Sequence, residues 1–189
     1  MKPLILTVGH STRGLKEFIE LLRAHGVEQL VDVRTIPRSR HNPQFNRVAF
    51  ARSLRQAGIA YLHMPELGGL RHSPRESVNT GWRNKSFRGY ADYMQTADFR
   101  VALRALVRLA RRRQVALMCA EAVPWRCHRS LIADALVVRG FPVEEIQSIV
   151  RTRPHNLTSW ARVRGLRITY PPAHAIRNAC STGNNRTDG

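Results

Sequence analysis

The stretch that decides the fold is Val115-Ala-Leu-Met-Cys119-Ala-Glu121-Ala-Val-Pro-Trp-Arg-Cys127-His128-Arg129-Ser130. Its apolar first half predicts a buried strand, which is followed by a short loop containing proline and by the start of a helix. A buried strand, a polar turn and a helix start in this order are typical of open α/β sheets. Because loops at the carboxyl ends of such strands face a crevice, the stretch also predicts a ligand site.

Strand and helix patterns alternate on both sides of this stretch. Further strands are predicted at residues 4–8, 30–34, 59–64 and 143–150. Apolar positions at the 3.6-residue period predict helices at about residues 12–25, 47–57 and 127–139. They also predict a long helix that ends at Arg113, and residues 90–94 either open this helix or precede it. Ser11 or Thr12 is the expected N-cap of the first helix. The sequence therefore predicts an α/β fold, a single domain of about five mainly parallel strands flanked by helices.

Two segments lack this periodicity. Residues 65–89 are predicted to form a long irregular loop, and residues 173–189 a disordered polar tail that follows a domain covering residues 1–172. Trp82, Phe87 and Tyr90 alternate with arginines in and beside the loop. That mixture is typical of single-stranded nucleic-acid contacts, and equally of aromatic rings packed beneath a loop. Residues 168–172 are the last expected to be packed.

Composition narrows the class of protein. No apolar run approaches the length of about 18 residues that a membrane span needs, and no signal peptide is recognisable, so a cytoplasmic protein with no membrane partner is expected. Three cysteines do not make a disulfide framework in a chain of 189 residues. The 31 basic against 13 acidic residues give a net charge of +18, and nearly all the cations are arginine. The expected partners are therefore nucleic acid or a phosphorylated small molecule, although compositional bias alone gives the same excess. No particular oligomeric state follows.

A basic stripe lies on the long predicted helix. Arg100, Arg104 and Arg108 recur every four residues and lead into Arg111 to Arg113. Cations near a helix C-terminus are stabilised by the helix dipole, which favours a solvated face. The same stripe is also the electrostatic footprint of a nucleic-acid interface.

Polar side chains follow three of the predicted strands. His10 and Ser11 follow the first strand, Asp32 and Arg34 end the second, and Glu121 follows the fourth. A carboxylate near other ionisable groups at a buried strand end can act as a general acid or base. Glu121 could equally anchor an arginine in a structural ion pair. The predicted catalytic residues are Glu121, Asp32 and His10.

The helix start at Cys127 to Ser130 suits phosphate, because free backbone N–H groups and the helix dipole attract an anion. Arg129 would clamp the phosphate, and Arg34 could add a second clamp. The polar loop at residues 35–46 suits phosphate contact, or a loop that caps itself. The predicted ligand-binding residues are Ser11, Arg34, Ser39, Arg40, Cys127, His128 and Arg129.

The two cysteines of the stretch have further interpretations. Phosphatase and sulfurtransferase loops place a nucleophilic cysteine closer to their arginine than the nine residues that separate Cys119 from Arg129. Glu121 would also repel an incoming anion, which disfavours a thiolate nucleophile. A metal site using Cys119, Cys127, His128 and His10 matches no common ligand spacing. We therefore predict no metal and no cofactor, and each thiol alone is best explained as a small buried hydrophobe.

Several motifs lie in order between about residues 4 and 150: Val8-Gly9-His10-Ser11, Leu30-Val-Asp32-Val-Arg34, Pro37-Arg-Ser39-Arg40, Phe45-Asn46, Leu67-Gly68-Gly69, Tyr90-Ala-Asp-Tyr-Met94, Met118-Cys119-Ala-Glu121 and Cys127-His128-Arg129. In these motifs the chain resembles the family known as "domain of unknown function 488". The resemblance implies an α/β domain, intracellular and mostly prokaryotic, with no established activity. It also implies that His10, Asp32, Arg34, Glu121, Cys127, His128 and Arg129 belong to one site.

Together these features predict a polar, arginine-lined pocket at the strand carboxyl ends that binds a phosphate-bearing ligand, either nucleic acid or nucleotide. They leave open whether the protein is an enzyme that hydrolyses or transfers a group on that ligand. The alternatives are a non-catalytic, basic nucleic-acid-binding module and a metal-dependent enzyme with cysteine and histidine ligands.

Overall fold

The centre of the fold is a six-stranded sheet in the order β3-β2-β4-β1-β5-β6, in a computed structural model that describes residues 2–172. Its strands are β1 (Ile5–Gly9), β2 (Gln29–Asp32), β3 (Ala60–His63), β4 (Val115–Cys119), β5 (Val143–Ser148) and β6 (Arg151–Pro154). All neighbouring strands are parallel except β5 and β6, which are antiparallel. The central strand β1 pairs with both β4 and β5.

Five helices cover the two faces of the sheet. They are α1 (Leu15–Ala24), α2 (Arg47–Gln56), α3 (Lys85–Tyr93), α4 (Ala97–Ala110) and α5 (Arg129–Val138). Side chains of α1 and α2 pack in one apolar layer, and those of α3, α4 and α5 pack in the other. Strand β4 supplies Val115, Leu117 and Cys119 to the second layer and Ala116 and Met118 to the first. This alternation is the period-two pattern of a strand buried on both faces.

The α/β single-domain prediction is confirmed, with corrections at three helices. Residues 90–94 precede the expected long helix and do not open it, because Thr96 begins α4 as an N-cap that accepts a hydrogen bond from the Phe99 N–H. Helix α4 also ends at Ala110, before Arg113. Helix α1 is preceded by Gly14 and not capped by Ser11 or Thr12, and α5 begins at Arg129. The tail predicted at residues 173–189 lies outside the described residues.

The predicted irregular loop is shorter than expected, since α3 already begins at Lys85. A 3-10 turn occupies Pro65–Leu67, and the irregular part that follows is held by Asp92 of α3. The Asp92 carboxylate accepts hydrogen bonds from Ser73, Ser77 and Asn79 at 2.7–2.9 Å. Phe87 and Tyr90 are buried in the core. For Phe87 and Tyr90, the structure therefore agrees with packing of the aromatic rings and not with exposed nucleic-acid contacts.

The segment after β5 contains three strands that the sequence did not predict: β6, β7 (Arg162–Arg164) and β8 (Arg167–Thr169), of which β7 and β8 form a separate hairpin. Asp134 of α5 ties this segment to the domain. Its buried carboxylate accepts hydrogen bonds from the Tyr170 hydroxyl at 2.8 Å and the Thr158 N–H at 3.1 Å, and pairs with His155 at 2.8 Å. Ile168 and Tyr170 are buried, as expected. None of the helices within residues 2–172 is long and apolar enough to cross a membrane.

Candidate functional site

The predicted site residues gather where β1, β2 and β4 end. The last residue of β1, Gly9, pairs with Cys119 at the end of β4, and Asp32 at the end of β2 pairs with Met118. Gly9 allows the chain after β4 to pass very close, because a Cβ atom there would collide with the backbone of Glu121. Strand carboxyl ends that meet in this way form the usual ligand crevice of open α/β sheets.

A buried cluster of Cys119, Cys127 and Arg129, which we call the thiol–arginine cluster, lies at this edge. Cys119 ends β4 on the face covered by α3–α5, and α5 begins at Arg129 directly beyond Cys127 and His128. The Arg129 Nη1 donates to Cys119 Sγ at 3.0 Å and to the Glu121 carbonyl at 3.1 Å. It also lies 3.9 Å from Cys127 Sγ. Arg129 therefore holds its positive charge against the thiols.

This arrangement gives the two thiols different acidities. A hydrogen bond from Cys127 and the charge of Arg129 lower the pKa of Cys119 to about 7, although burial opposes the shift. The same hydrogen bond, together with burial, raises the pKa of Cys127 well above its ordinary value. When the pair ionises, the thiolate therefore forms on Cys119 while Cys127 keeps its proton.

Asp32 and Arg34 form a second buried group at the end of β2. The Arg34 Nε lies 2.9 Å and its Nη2 2.6 Å from the Asp32 carboxylate oxygens, and Nη2 also donates to the Phe45 carbonyl at 2.8 Å. The Tyr61 hydroxyl donates to Asp32 at 2.7 Å. Hydrogen bonds thus occupy both Asp32 oxygens, and most of the Arg34 fork is used within the protein.

His10 joins this second group. Its ring stacks on Phe45 with centroids 4.2 Å apart, its Nδ1 lies 2.8 Å from the Ser11 carbonyl, and its Nε2 lies 3.4 Å from Arg34 Nη1. Burial lowers the pKa of His10 to about 4, so the imidazole is neutral at physiological pH. Ser11 adopts a positive φ of 50°, and its N–H donates a hydrogen bond to the Ala120 carbonyl. The structure therefore brings His10, Asp32 and Arg34 together.

Glu121 lies apart from this group. Its side chain is exposed, and its carboxylate accepts a hydrogen bond from the Val123 N–H at 3.3 Å. Within residues 2–172 it forms no ion pair with Arg34 or Arg129. In the described part of the chain, no hydrogen bond joins its carboxylate to Asp32 or His10, and the structural ion pair considered from the sequence is not formed.

The N-terminus of α5 is less open to an anion than its sequence suggests. The Arg129 N–H points to Cys127 Sγ at 3.4 Å, and the Ser130 N–H donates to the Cys127 carbonyl at 3.0 Å. Similarly, the Ser39 hydroxyl accepts a hydrogen bond from the Asn42 N–H at 3.0 Å, so the loop after β2 caps itself. Arg40 is exposed.

An open pocket of about 480 Å³, which we call the thiol pocket, leads from the surface to the two cysteines. Five of the predicted residues line it: Arg34, Ser39, Glu121, Cys127 and His128. Cys119 and two exposed arginines, Arg38 and Arg126, line it as well. Sequence reasoning did not select these arginines, although each adjoins a residue that it did select.

His128 forms part of the wall of the thiol pocket. Its Nε2 lies 3.0 Å from the Val33 carbonyl, and its ring packs closely against Gly69. Burial lowers the pKa of His128 to about 4, so this ring is also neutral at physiological pH. It therefore acts as a fixed, uncharged wall.

The arginine stripe lies elsewhere on the molecule. Arg100, Arg104 and Arg108 are exposed on α4 and line a groove of about 560 Å³ together with Arg111 and Arg139. Among residues 2–172, no acidic side chain lines this groove. Within the part of the chain that the structure describes, none of the five arginines forms an ion pair. Among these same residues, no group of three or more His, Cys, Asp or Glu side chains could hold a metal ion.

No curated protein and no solved structure matches the chain. Residues 14–136, about two thirds of the sequence, match the family described as "Domain of unknown function DUF488". That segment contains the ends of β2 and β4 and the complete thiol–arginine cluster. The chain belongs to the DUF488 family.

Proposed function

We propose that the protein is a thiol-dependent enzyme that acts on a small, phosphate-bearing substrate held in the thiol pocket, with Cys119 as its nucleophile. The observation that carries this proposal is the contact of 3.0 Å between Arg129 Nη1 and Cys119 Sγ at the base of the pocket. A thiolate is the reactive form of cysteine, and an adjacent guanidinium stabilises it.

The chemistry follows from the protonation of the pair. The Cys119 thiolate attacks an electrophilic centre of the substrate, and the leaving group departs with the electrons of the broken bond. Cys127 supplies the proton that the leaving group takes up. Water, or a second nucleophile that carries a proton, then attacks the group on Cys119, and the electrons of the broken bond return to the Cys119 thiolate. The proton lost by the attacking molecule goes to Cys127, so both thiols regain their starting states. Arg38 and Arg126 at the rim attract the anionic substrate.

This proposal differs from the acid–base hypothesis based on Glu121, Asp32 and His10. Asp32 and His10 are engaged in hydrogen bonds to neighbouring groups, which favours a structural role for both. Glu121 lines the pocket with an exposed carboxylate, so a supporting proton-transfer role for it is part of the proposal. The sequence argument that Glu121 would repel the anion is weakened by Arg38 and Arg126 on the same rim.

The test compares alkylation by neutral iodoacetamide and anionic iodoacetate, with the modified cysteine identified by mass spectrometry. We expect Cys119 to be alkylated at pH values below the ordinary thiol pKa. We expect the double variant Arg38→Ala/Arg126→Ala to lower the ratio of the iodoacetate rate to the iodoacetamide rate by about tenfold. Arg40→Ala is the matched control, because Arg40 is exposed on the same loop but does not line the pocket. An unreactive Cys119, or a ratio that changes equally in both variants, contradicts the proposal.

A second candidate function is nucleic-acid binding along the arginine groove of α4. The specific observation is that five arginines line this groove without any acidic residue. We expect an Arg100→Ala/Arg104→Ala/Arg108→Ala variant to bind single- or double-stranded DNA or RNA more weakly, with a shallower salt dependence, in fluorescence anisotropy. An Arg47→Ala/Arg52→Ala/Arg55→Ala variant on α2 removes the same charge from another exposed face and is the control. Equal losses in the two variants would reject the groove.

A further inference from the structure

We infer that the chain carries a second ligand site, for a nucleoside monophosphate, in a pocket of about 440 Å³ between α5 and the segment that follows β5. Trp82, Trp125 and Trp160 all line this pocket, and they are the three tryptophans of the chain. We call it the tryptophan pocket. It is distinct from the thiol pocket, and the inference does not depend on the proposed thiol chemistry.

The walls of the pocket are suited to a flat ring. The Trp82 and Trp160 rings meet edge to face with centroids 5.1 Å apart. Trp125 is 64% exposed and Trp160 is 36% exposed, so indole surface remains available to a ligand. Aromatic side chains in such positions stack on nucleobases.

The floor of the pocket carries buried donors that form no hydrogen bond within residues 2–172. Arg129 is 1% exposed, and its Nε and Nη2 have no hydrogen-bond partner among these residues, although Nη1 is engaged by the thiols. The Trp82 Nε1 is likewise buried without a partner in this part of the chain. The Glu145 carboxylate forms an ion pair with Arg129 Nη2 at 3.7 Å, a distance too long for a hydrogen bond. Because unsatisfied buried donors are costly, this floor favours a ligand that brings acceptor oxygens.

Further polar groups complete the match to a nucleotide. Arg153 of β6 lines the same pocket, so a phosphate there would meet a second guanidinium besides that of Arg129. Glu145 lines the pocket too and can accept from a ribose hydroxyl or a base amine. The volume lies within the range of about 300–1,000 Å³ that small-molecule sites occupy. Stacking walls, anion-binding donors and one carboxylate together indicate a nucleoside monophosphate.

The far wall of this pocket lies beyond the family match. Arg153 and Trp160 follow residue 136, where the match ends, whereas Arg129 and the rest of the thiol–arginine cluster lie within it. The tryptophan pocket is therefore built in part by the C-terminal segment that Asp134 holds in place.

Intrinsic fluorescence reports on this site directly, because all three tryptophans line the pocket. We expect adenosine monophosphate to change the tryptophan fluorescence of the full chain saturably, and adenosine or inorganic phosphate alone to bind at least about tenfold more weakly. The Arg153→Ala variant should weaken nucleotide binding by about tenfold. Arg151→Ala is the matched control, since Arg151 is exposed on the same strand and does not line the pocket.

Four outcomes overturn the inference. They are the absence of a saturable change with adenosine monophosphate, equal binding of adenosine, equal competition by inorganic phosphate, and equal effects of the two arginine variants. A Cys119→Ser variant separates this site from the proposed thiol chemistry. It should keep nucleotide binding, whether or not the thiol-dependent enzyme proposal holds.

Discussion

Replacing Cys127 with alanine tests the origin of the Cys119 thiolate. The change is made in a Cys180→Ala background, which removes the third cysteine, a residue outside the described part of the chain. Cys127 provides the hydrogen bond that contributes most to the lowered pKa of Cys119, with Arg129 contributing by its charge. We therefore expect the Cys119 thiolate to become markedly less stable in the Cys127→Ala variant.

The size of the effect follows from that hydrogen bond. A hydrogen bond to a charged acceptor contributes about 1.5–3 kcal/mol, and one pKa unit corresponds to about 1.4 kcal/mol. The pKa of Cys119, about 7 in the native chain, should rise by roughly one to two units. The thiolate fraction at neutral pH then falls from about half to roughly 1–10%.

The assay follows the rate of alkylation by iodoacetamide across a pH range that includes both pKa values. The inflection of this profile is the measured quantity, because a more basic thiolate is intrinsically more nucleophilic and partly hides the change at any single pH. A Cys127→Ser variant keeps a hydrogen-bond donor, so its profile should stay close to the native one. An inflection that remains near 7 in Cys127→Ala would refute the assigned role of Cys127. A native inflection near the ordinary thiol value of 9.0 would refute the thiolate itself.

Three further changes probe the frame around the site. Asp134→Ala removes the acceptor of the Tyr170 hydroxyl and the Thr158 N–H. It should lower the free energy of unfolding, measured by urea titration, by about 3 kcal/mol. A loss below about 0.5 kcal/mol would contradict the role given to this carboxylate. Burial lowers the pKa values of His10 and His128 from 6.5 to about 4, so the unfolded chain takes up these protons first as the pH falls. The free energy of unfolding should therefore be unaffected by these histidines above pH 6.5 and should fall between pH 6.5 and about 4, by at most about 3 kcal/mol for each histidine. A free energy of unfolding that stays constant across that interval would disprove this prediction. Gly9→Ala should destabilise the protein by about 2–4 kcal/mol in the same urea titration, since its Cβ would meet the Glu121 backbone. A Cβ at Gly14, the N-cap of α1, meets nothing within 4 Å, so Gly14→Ala should cost at most about 1 kcal/mol, through the poorer N-cap alone.

The sequence predicts the parallel part of the sheet well, because its strands are short apolar runs buried on both faces. The predicted strand at residues 115–118 and the observed Val115–Cys119 differ by one residue. Strands β6 and β7 escaped prediction, because they are rich in arginine and mostly exposed, and so show no apolar pattern. These strands pair through backbone hydrogen bonds, and the hydropathy of the side chains cannot reveal such pairing.

The candidate site was predicted in its location but not in its geometry. The predicted residues do lie at the ends of β1, β2 and β4, since parallel strands bring their carboxyl ends together. However, Asp32 pairs in register with Met118, one residue before Cys119, and successive side chains point to opposite faces of a sheet. Asp32 therefore lies with Phe45 and Tyr61, whereas Cys119 lies beneath α5. Spacing along the chain cannot show that Arg129 turns back onto Cys119.

The central place of β1 also affects how the chain is made. Ile5 leaves the ribosome well before its partners in the sheet, Val115 and Val143, are made. During synthesis the apolar β1 therefore stays unpaired on both sides until β4 emerges. Contacts between residues so far apart in sequence slow folding and prolong the exposure of unpaired strands. The nascent chain is thus most prone to aggregate before β4 emerges, and chaperones would have the greatest effect in that interval.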